Sequence, residues 1–295
     1  MREVAVVTTG FFDGVHLGHR HVIETVVSSA RERGEEAVVV TFWPHPRTVL
    51  QQDARDFKIL NTLEEKKALL LSLGVDRVEV IPFTRQFAAL TAAQYLSLLQ
   101  KEYGASLIVM GYDNNIGSDK KCAADICHPL DIIVLDVCHS ERSEESVSST
   151  RIRKYLSDGD IASANAMLGY EYTLTGAVVA GNRLGRTIGF PTANMQLYEP
   201  LKLVPGNGVY CVEVEVLGAK FKGMCNIGNR PTVGGVSRTI ETHILDFSED
   251  IYGLPLTLRF HSRIRDERKF DSLDALRRQL ELDRDATKRV GIASI

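Results

Sequence analysis

Along the first half of the chain, short apolar runs alternate with segments of helical period. Residues 4–7 are uniformly apolar and lead through two threonines to Gly10, which predicts a buried strand ending in a turn. A helix is expected from about His19 to Arg33 and a second strand over 37–42. Thr62 with Glu65, and Thr91 with Gln94, have the spacing of capping boxes, so helices are predicted to begin there. Residues 78–81, 107–110 and 132–135 supply further strands. Strand-helix alternation of this kind predicts the α/β class, a parallel sheet with helices on both faces.

Past residue 168 the pattern changes. Residues 172–179, 208–216, 221–227, 239–245 and 256–260 are mostly alternating runs of β type, punctuated by glycine, asparagine and proline. They predict an antiparallel barrel or sandwich. One helix is expected from about Ser272, carried by Leu273, Leu276, Leu280 and Leu282. The chain therefore reads as two domains of different class, 1–168 and 169–295, joined by a short link without a proline run or long spacer. Residues 138–146 are polar and charged without apolar period and read as an exposed loop.

Composition narrows the picture. With 295 residues, 44% hydrophobic and 25% charged, the chain has the make-up of a globular protein with room for two cores. A net charge of -3 offers no general attraction to nucleic acid or to an anionic membrane, so neither is expected as a partner and any phosphate binding must be local. No apolar run approaches the roughly 18 residues of a membrane span, and the first residues lack the pattern of a secretory signal, which points to the cytoplasm. The five cysteines are odd in number and lack C-x-x-C spacing, so free thiols are expected. Cys122, Cys127, His128, Cys138 and His139 lie near one another but match no common zinc spacing.

Candidate chemistry begins at the first strand-to-helix junction, where Gly10, Phe11, Asp13 and Gly14 precede His16 and His19. Glycine lets backbone approach a ligand, and the free N–H groups of a helix start attract anions. His16 and His19 are three apart, so both project to one face and can meet neighbouring phosphate oxygens. His45 sits between two prolines after the second strand, at the sheet edge where ligands of open α/β sheets bind. Ser148, Ser149, Thr150 and Arg153 combine hydroxyls, helix-start amides and a guanidinium, a set suited to phosphate. In the second half Gly181, Gly185 and Gly189 are spaced by four, which permits a loop to fold over phosphates, although no G-K-[ST] follows as in a Walker A loop. Thr192 and Asn194 are two apart, so in an extended segment their oxygens face one way and suit Mg2+, directly or through water.

Taken together these segments resemble the prokaryotic bifunctional riboflavin kinase/FAD synthetase family over nearly the whole chain. The first half is similar to its adenylyltransferase module, a Rossmann-like nucleotidylyltransferase domain with H-x-G-H after the first strand, here His16-Leu17-Gly18-His19. Thr41-Phe42-Trp43-Pro44-His45-Pro46 is similar to the family's T-F-x-P-H-P, Gly111-Tyr112-Asp113 to the start of its flavin-side loop, and Ser148 to Arg153 to its S-S-T-x-I-R element. The second half is similar to the riboflavin kinase module, an antiparallel β-barrel with a terminal helix, through the glycine-rich loop and Gly189-Phe190-Pro191-Thr192-Ala193-Asn194.

The resemblance implies ATP-dependent phosphorylation of riboflavin to FMN, then adenylylation of FMN to FAD, with Mg2+, ATP and flavins as the small molecules handled. It makes Glu241 the carboxylate that accepts the proton of the riboflavin 5′-hydroxyl and puts Arg268 in the flavin-side flap of the kinase. Gly181, Arg186, Gly189, Thr192 and Asn194 fall to the kinase's ATP and Mg2+, whereas His45, Asp113 and Asn114 fall to the flavin side of the adenylyltransferase.

The chain also departs from the family. Where histidine, arginine and phenylalanine usually follow G-Y-D, it has Asn114, Asn115 and Ile116, and the segment between Gly117 and Ser148 is shorter by something like one helix. FMN formation is therefore expected to be robust and FAD formation vulnerable. The alternative is a riboflavin kinase whose N-terminal module has become a nucleotide- or flavin-binding regulatory unit.

Overall fold

The computed structural model describes residues 4–50, 57–111, 114–122, 130–135, 147–181, 184–232 and 235–291. Asp113, Cys127, His128, Cys138, His139 and the expected loop over 138–146 lie outside the described residues. The chain forms two compact units, Met1–Ser149 and Thr150–Ile295.

The first unit runs β1 (Ala5–Thr9), α1 (Leu17–Arg33), β2 (Glu36–Trp43), α2 (Pro46–Leu50), α3 (Leu63–Ser72), β3 (Arg77–Pro82), α4 (Arg85–Ala88), α5 (Ala92–Tyr103), β4 (Ala105–Gly111), β5 (Asn115–Ile116), β6 (Lys121–Cys122) and β7 (Asp131–Leu135). Its main sheet has the order β3-β2-β1-β4-β7 with every pair parallel. Alternate residues of the buried strands serve opposite faces. Val6, Ala37, Leu107 and Val109 pack with Val26 and Ala30 of α1, and Val39 with Ile23 of α1 and Leu70 of α3. Ala5, Val7, Val38, Val40, Ile108 and Met110 pack with Tyr95, Leu96 and Leu99 of α5. Both expected capping boxes form, Thr62 with Glu65 at α3 and Thr91 with Gln94 at α5. Because the chain winds outward from β1 first through β2 and β3 and then through β4 and β7, the order reverses between β1 and β4. Their carboxyl ends are therefore the switch point where open α/β sheets bind ligands.

The second unit comprises α6 (Ser149–Asp158, beginning on the dividing residue), α7 (Ile161–Leu168), β8 (Thr173–Val179), α8 (Leu184–Thr187), β9 (Ala193–Leu197), β10 (Gly208–Val216), β11 (Ala219–Thr232), β12 (Gly235–Ile244), β13 (Pro255–Arg265) and α9 (Leu273–Arg289). Its strands close into an antiparallel barrel in the order β10-β11-β12-β9-β8-β13. The alternating runs thus resolve as a barrel, with Tyr172, Tyr210 and Phe260 among its fully buried side chains.

The compact units divide at Ser149, and α6 and α7 are tied to the barrel: Gly206 N–H donates to Leu156 O at 2.7 Å, and the Asn165 amide to Phe260 O at 2.8 Å. The leucines of α9 are not its buried face, since Leu273 and Leu282 are exposed and only Leu280 packs on Phe190, Met224 and Leu245. The buried positions of α9 are Asp283 and Thr287. Asp283 pairs with Arg265 of β13, so an ion pair helps to anchor this helix.

Candidate functional site

The turn after β1 carries Phe12, Gly14 and Val15 at φ of 51°, 87° and 37°. Left-handed backbone at two non-glycine residues persists only where the surroundings hold it. Two groups do so here. The buried Asp13 carboxylate accepts the N–H groups of Leu60 and Asn61 at 2.9 and 3.3 Å, and Lys66 Nζ donates to Phe11 O at 2.9 Å and Thr41 Oγ1 at 3.0 Å.

His16 is the residue at which α1 starts, and its side chain makes no capping bond. Its ring lies parallel to that of His19, centroids 3.6 Å apart, while His19 also meets the Phe12 ring edge-on at 5.3 Å. Burial, then His16, then Lys66 hold the His19 pKa well below the usual histidine value, so its imidazole is neutral at pH 7. A neutral imidazole keeps one N–H, which is what a phosphate oxygen needs from it.

Other expected residues gather at the same end of the sheet. Ser149, the last residue of the first unit, donates its hydroxyl to Asp13 O at 2.8 Å. Thr150 and Arg153, farther along α6, fall in the second compact unit. His45 follows β2; its ring meets Phe11 at 3.9 Å and Phe57 at 4.2 Å, and its Nδ1 accepts Arg47 N–H at 3.0 Å. Asn114 bridges the β1/β4 switch point, its amide donating to Thr9 O at 3.1 Å. Ile116 is buried in the core on the α5 face, and Asn115 is exposed.

In the barrel, Glu241 on β12 stands between two asparagines, with Asn226 of β11 on one side and Asn194 of β9 on the other. Gly181 explains how the Asn194 side chain fits: a Cβ at that position would overlap the Asn194 amide. Two cavities open around these strands. One, of about 290 Å³, is lined by Arg186, Thr192, Asp250 and Tyr252 among others. The second, of about 310 Å³, is lined by Thr192, Asn226, Glu241, His243, Arg268 and Phe270 among others. Thr192 belongs to both walls. Gly189, at φ 83°, closes the turn after α8.

His243 fixes this arrangement from the next position on the same face of β12 as Glu241. Its Nδ1–H donates to Pro191 O at 2.8 Å, directly before Thr192, and its ring meets Phe190 at 5.1 Å. Burial lowers its pKa. Arg268 bonds Gln279 of α9 and lies over the Phe270 ring at 4.8 Å. Among the described residues no cluster of His, Cys, Asp and Glu is arranged to hold a metal ion, and Cys211 and Cys225 are free, buried thiols, the latter pushed up to about 12 chiefly by burial.

Lys66, Asn226 and His243 were not assigned roles from the sequence. Asn226 and His243 were readable only through strand pairing with Glu241 or spacing from it, whereas Lys66 carries no local signal at all.

Known proteins share both halves of this chain. The family model described as FAD synthetase matches residues 1–151, and that described as riboflavin kinase matches 168–290. The bifunctional riboflavin kinase/FMN adenylyltransferase of Bacillus subtilis is 36% identical over 95% of this chain and 90% of its own length. The Escherichia coli K12 protein of the same name is 37% identical over 96% and 91%. A crystal structure from Streptococcus pneumoniae, described as a macrolide-efflux protein, is 36% identical with a TM-score of 0.92, covering 98% of this chain and 95% of that one. Among the described residues of this chain, no helix is long and apolar enough to cross a membrane.

Proposed function

Because the chain belongs to the bifunctional riboflavin kinase/FMN adenylyltransferase family, we propose that its barrel unit phosphorylates riboflavin to FMN and its N-terminal unit joins FMN to AMP from a second ATP, giving FAD and pyrophosphate. The observation that carries the kinase half is Thr192 in the wall of both barrel cavities. ATP occupies the cavity with Arg186 and riboflavin the cavity with Glu241 and Arg268, so the transferred phosphoryl group passes at Thr192. Glu241 accepts the proton of the riboflavin 5′-hydroxyl as that oxygen attacks the γ-phosphorus and ADP departs.

Thr192 and Asn194 fit Mg2+: they offer neutral oxygens near the Glu241 carboxylate, and the space left by Gly181 receives the Asn194 amide. When bound, Mg2+ supplies charge neutralisation at the phosphates. Gly181 and Gly189 keep the glycine-rich loop able to close over them.

In the N-terminal unit an FMN phosphate oxygen attacks the α-phosphorus of ATP, and the bond to the bridging oxygen of pyrophosphate breaks. No covalent protein nucleophile is required. The turn of Gly10, Phe11, Asp13 and Gly14 with His16 and His19 holds the phosphates, Ser148 and Ser149 stand on the nucleotide side, and His45 and Asn114 face the flavin. A net charge of -3 gives no general attraction to nucleic acid or anionic membrane, which supports small molecules as the protein's partners.

One observation favours a second reading, in which the N-terminal unit binds nucleotide or flavin only as a regulator. Asn114 is tied to backbone and Ile116 is buried, so neither supplies the cation or ring usual at these positions in the family. Incubating the purified protein with riboflavin, ATP and Mg2+ and separating the flavins chromatographically decides between them. Both FMN and FAD are expected; FMN alone would support the regulatory reading, and no FMN would sink the kinase assignment.

A further inference from the structure

Lys66 is 1% exposed, a burial that costs an isolated ammonium several kcal/mol. Its position on α3 would suit leucine or methionine. Instead, three contacts converge on its Nζ: the Phe11 carbonyl, the Thr41 hydroxyl of β2, and the face of the Phe11 ring at 3.8 Å. The same residue, Phe11, is thus gripped by backbone and by ring, and the ring's other neighbour is His45 at 3.9 Å. Beside this grip, Asp13 is held by the backbone of residues 60 and 61, just before α3. The segment around α3 therefore fixes the left-handed turn at two successive points.

We propose that Lys66 is a positioning residue for adenylyl transfer: it fixes Phe11 from beneath the turn and supplies a standing positive charge there, beside the stacked rings of His16 and His19 that meet the ATP phosphates. The proposal rests on the adenylyltransferase reading of the N-terminal unit. Two imidazolium ions stacked at 3.6 Å would repel each other strongly in so buried a place. A fixed ammonium nearby raises that penalty further and contributes to keeping the His19 proton off. Charge and hydrogen bonding are thereby divided between different residues. The groups facing Lys66 are the Asp13 carboxylate of the turn, the Thr41 hydroxyl of β2 and His19 of α1, with His16 stacked behind it. Glu65, its neighbour on α3, is engaged by Thr62 N–H at 2.9 Å.

The test is Lys66→Met, of similar length and uncharged, compared with wild type by three measurements. Replacing a buried charge with an apolar side chain of like shape is commonly neutral or stabilising, so the variant is expected to fold. In an NMR titration of the histidine rings, the His19 midpoint should rise in the variant; an unchanged midpoint overturns the electrostatic role. FAD formation from supplied FMN should lose about tenfold in kcat/KM for ATP, the cost of a slightly misplaced turn, while riboflavin phosphorylation stays at the wild-type rate. Equal FAD formation overturns the proposal. Burial brings Lys66 itself down to about 8, so wild-type kcat/KM for ATP should decline as pH rises through that value, and the decline should be missing in the variant. That wild-type profile decides the matter even if the variant fails to fold. A wild type that forms no FAD at all overturns the reading of the whole unit, an outcome distinct from a wild type that forms FAD and a variant that matches it.

Discussion

Glu241 and Asn194 stand directly opposite each other on β12 and β9, although they are far apart in the chain. Opposed residues of antiparallel strands hold their Cβ atoms about 5 Å apart. The proposed base and the proposed phosphate-side amide are therefore spaced by barrel register rather than by a loop. Sites on strands hold such spacing more closely than sites on loops.

Glu241→Gln keeps the shape of the side chain but cannot take a proton at neutral pH. FMN formation should fall by about 10²–10⁴. FAD formation from supplied FMN should be unchanged, and separate assays of the two steps check both statements.

Gly181→Ala tests the neighbour of that pair. The added Cβ occupies the place of the Asn194 amide, so kcat/KM for ATP in riboflavin phosphorylation should drop by about tenfold or more. A wild-type rate would mean that the Asn194 side chain moves aside at no cost to the reaction.

His19→Ala removes one ring of the stacked pair and should depress FAD formation alone. If riboflavin phosphorylation falls equally when both steps are assayed, the units do not act independently.

Stability should rise with pH in two separate windows for one reason, the burial of a group that is charged when protonated. The folded protein disfavours His19 protonation, so below the usual histidine value the unfolded chain binds more protons and stability falls as pH falls. Lys66, at about 8 when folded against 10.5 when free, penalises the folded state below pH 8, and that penalty disappears as pH rises to 10.5. The gain amounts to roughly 3 kcal/mol. Urea unfolding of wild type and Lys66→Met across this window should show the gain in wild type only.

Asp283→Ala should destabilise the barrel unit by roughly 3–5 kcal/mol, because the partly buried Arg265 loses a partner bonded at 2.8 to 3.0 Å. Denaturant unfolding followed by barrel tyrosine fluorescence measures it. Flavin affinity of the kinase should fall as well, since Arg265 also lines the cavity with Glu241.

Elements whose causes are local were legible in the sequence. Thr62 and Thr91 each meet a partner three residues on, and both helix starts follow from that contact. The proposed phosphate loop from Gly181 to Asn194 rests on an equally local signal, glycines and oxygen donors crowded into one stretch. Lys66 was not legible: within Leu63–Ser72 it sits beside Glu64, Glu65 and Lys67 and looks like part of a solvated face. Its burial is decided by a carbonyl 55 residues earlier in the chain. The leucine spacing of α9 made its helix legible, but helical spacing does not say which face the fold covers. Asn226 acquires meaning only when β11 and β12 are paired.

The two sheets also differ in what they present to other molecules of the same protein. A closed barrel has no outermost strand, and so no row of unpaired amides on which a second chain can add a strand. The parallel sheet ends at β3, where Arg77 is paired with Glu36 and Glu79 at 2.9 Å and the strand closes on Pro82. Charge and proline there discourage edge-to-edge pairing. Loss of those guards would place the protein's liability to aggregate in its N-terminal unit.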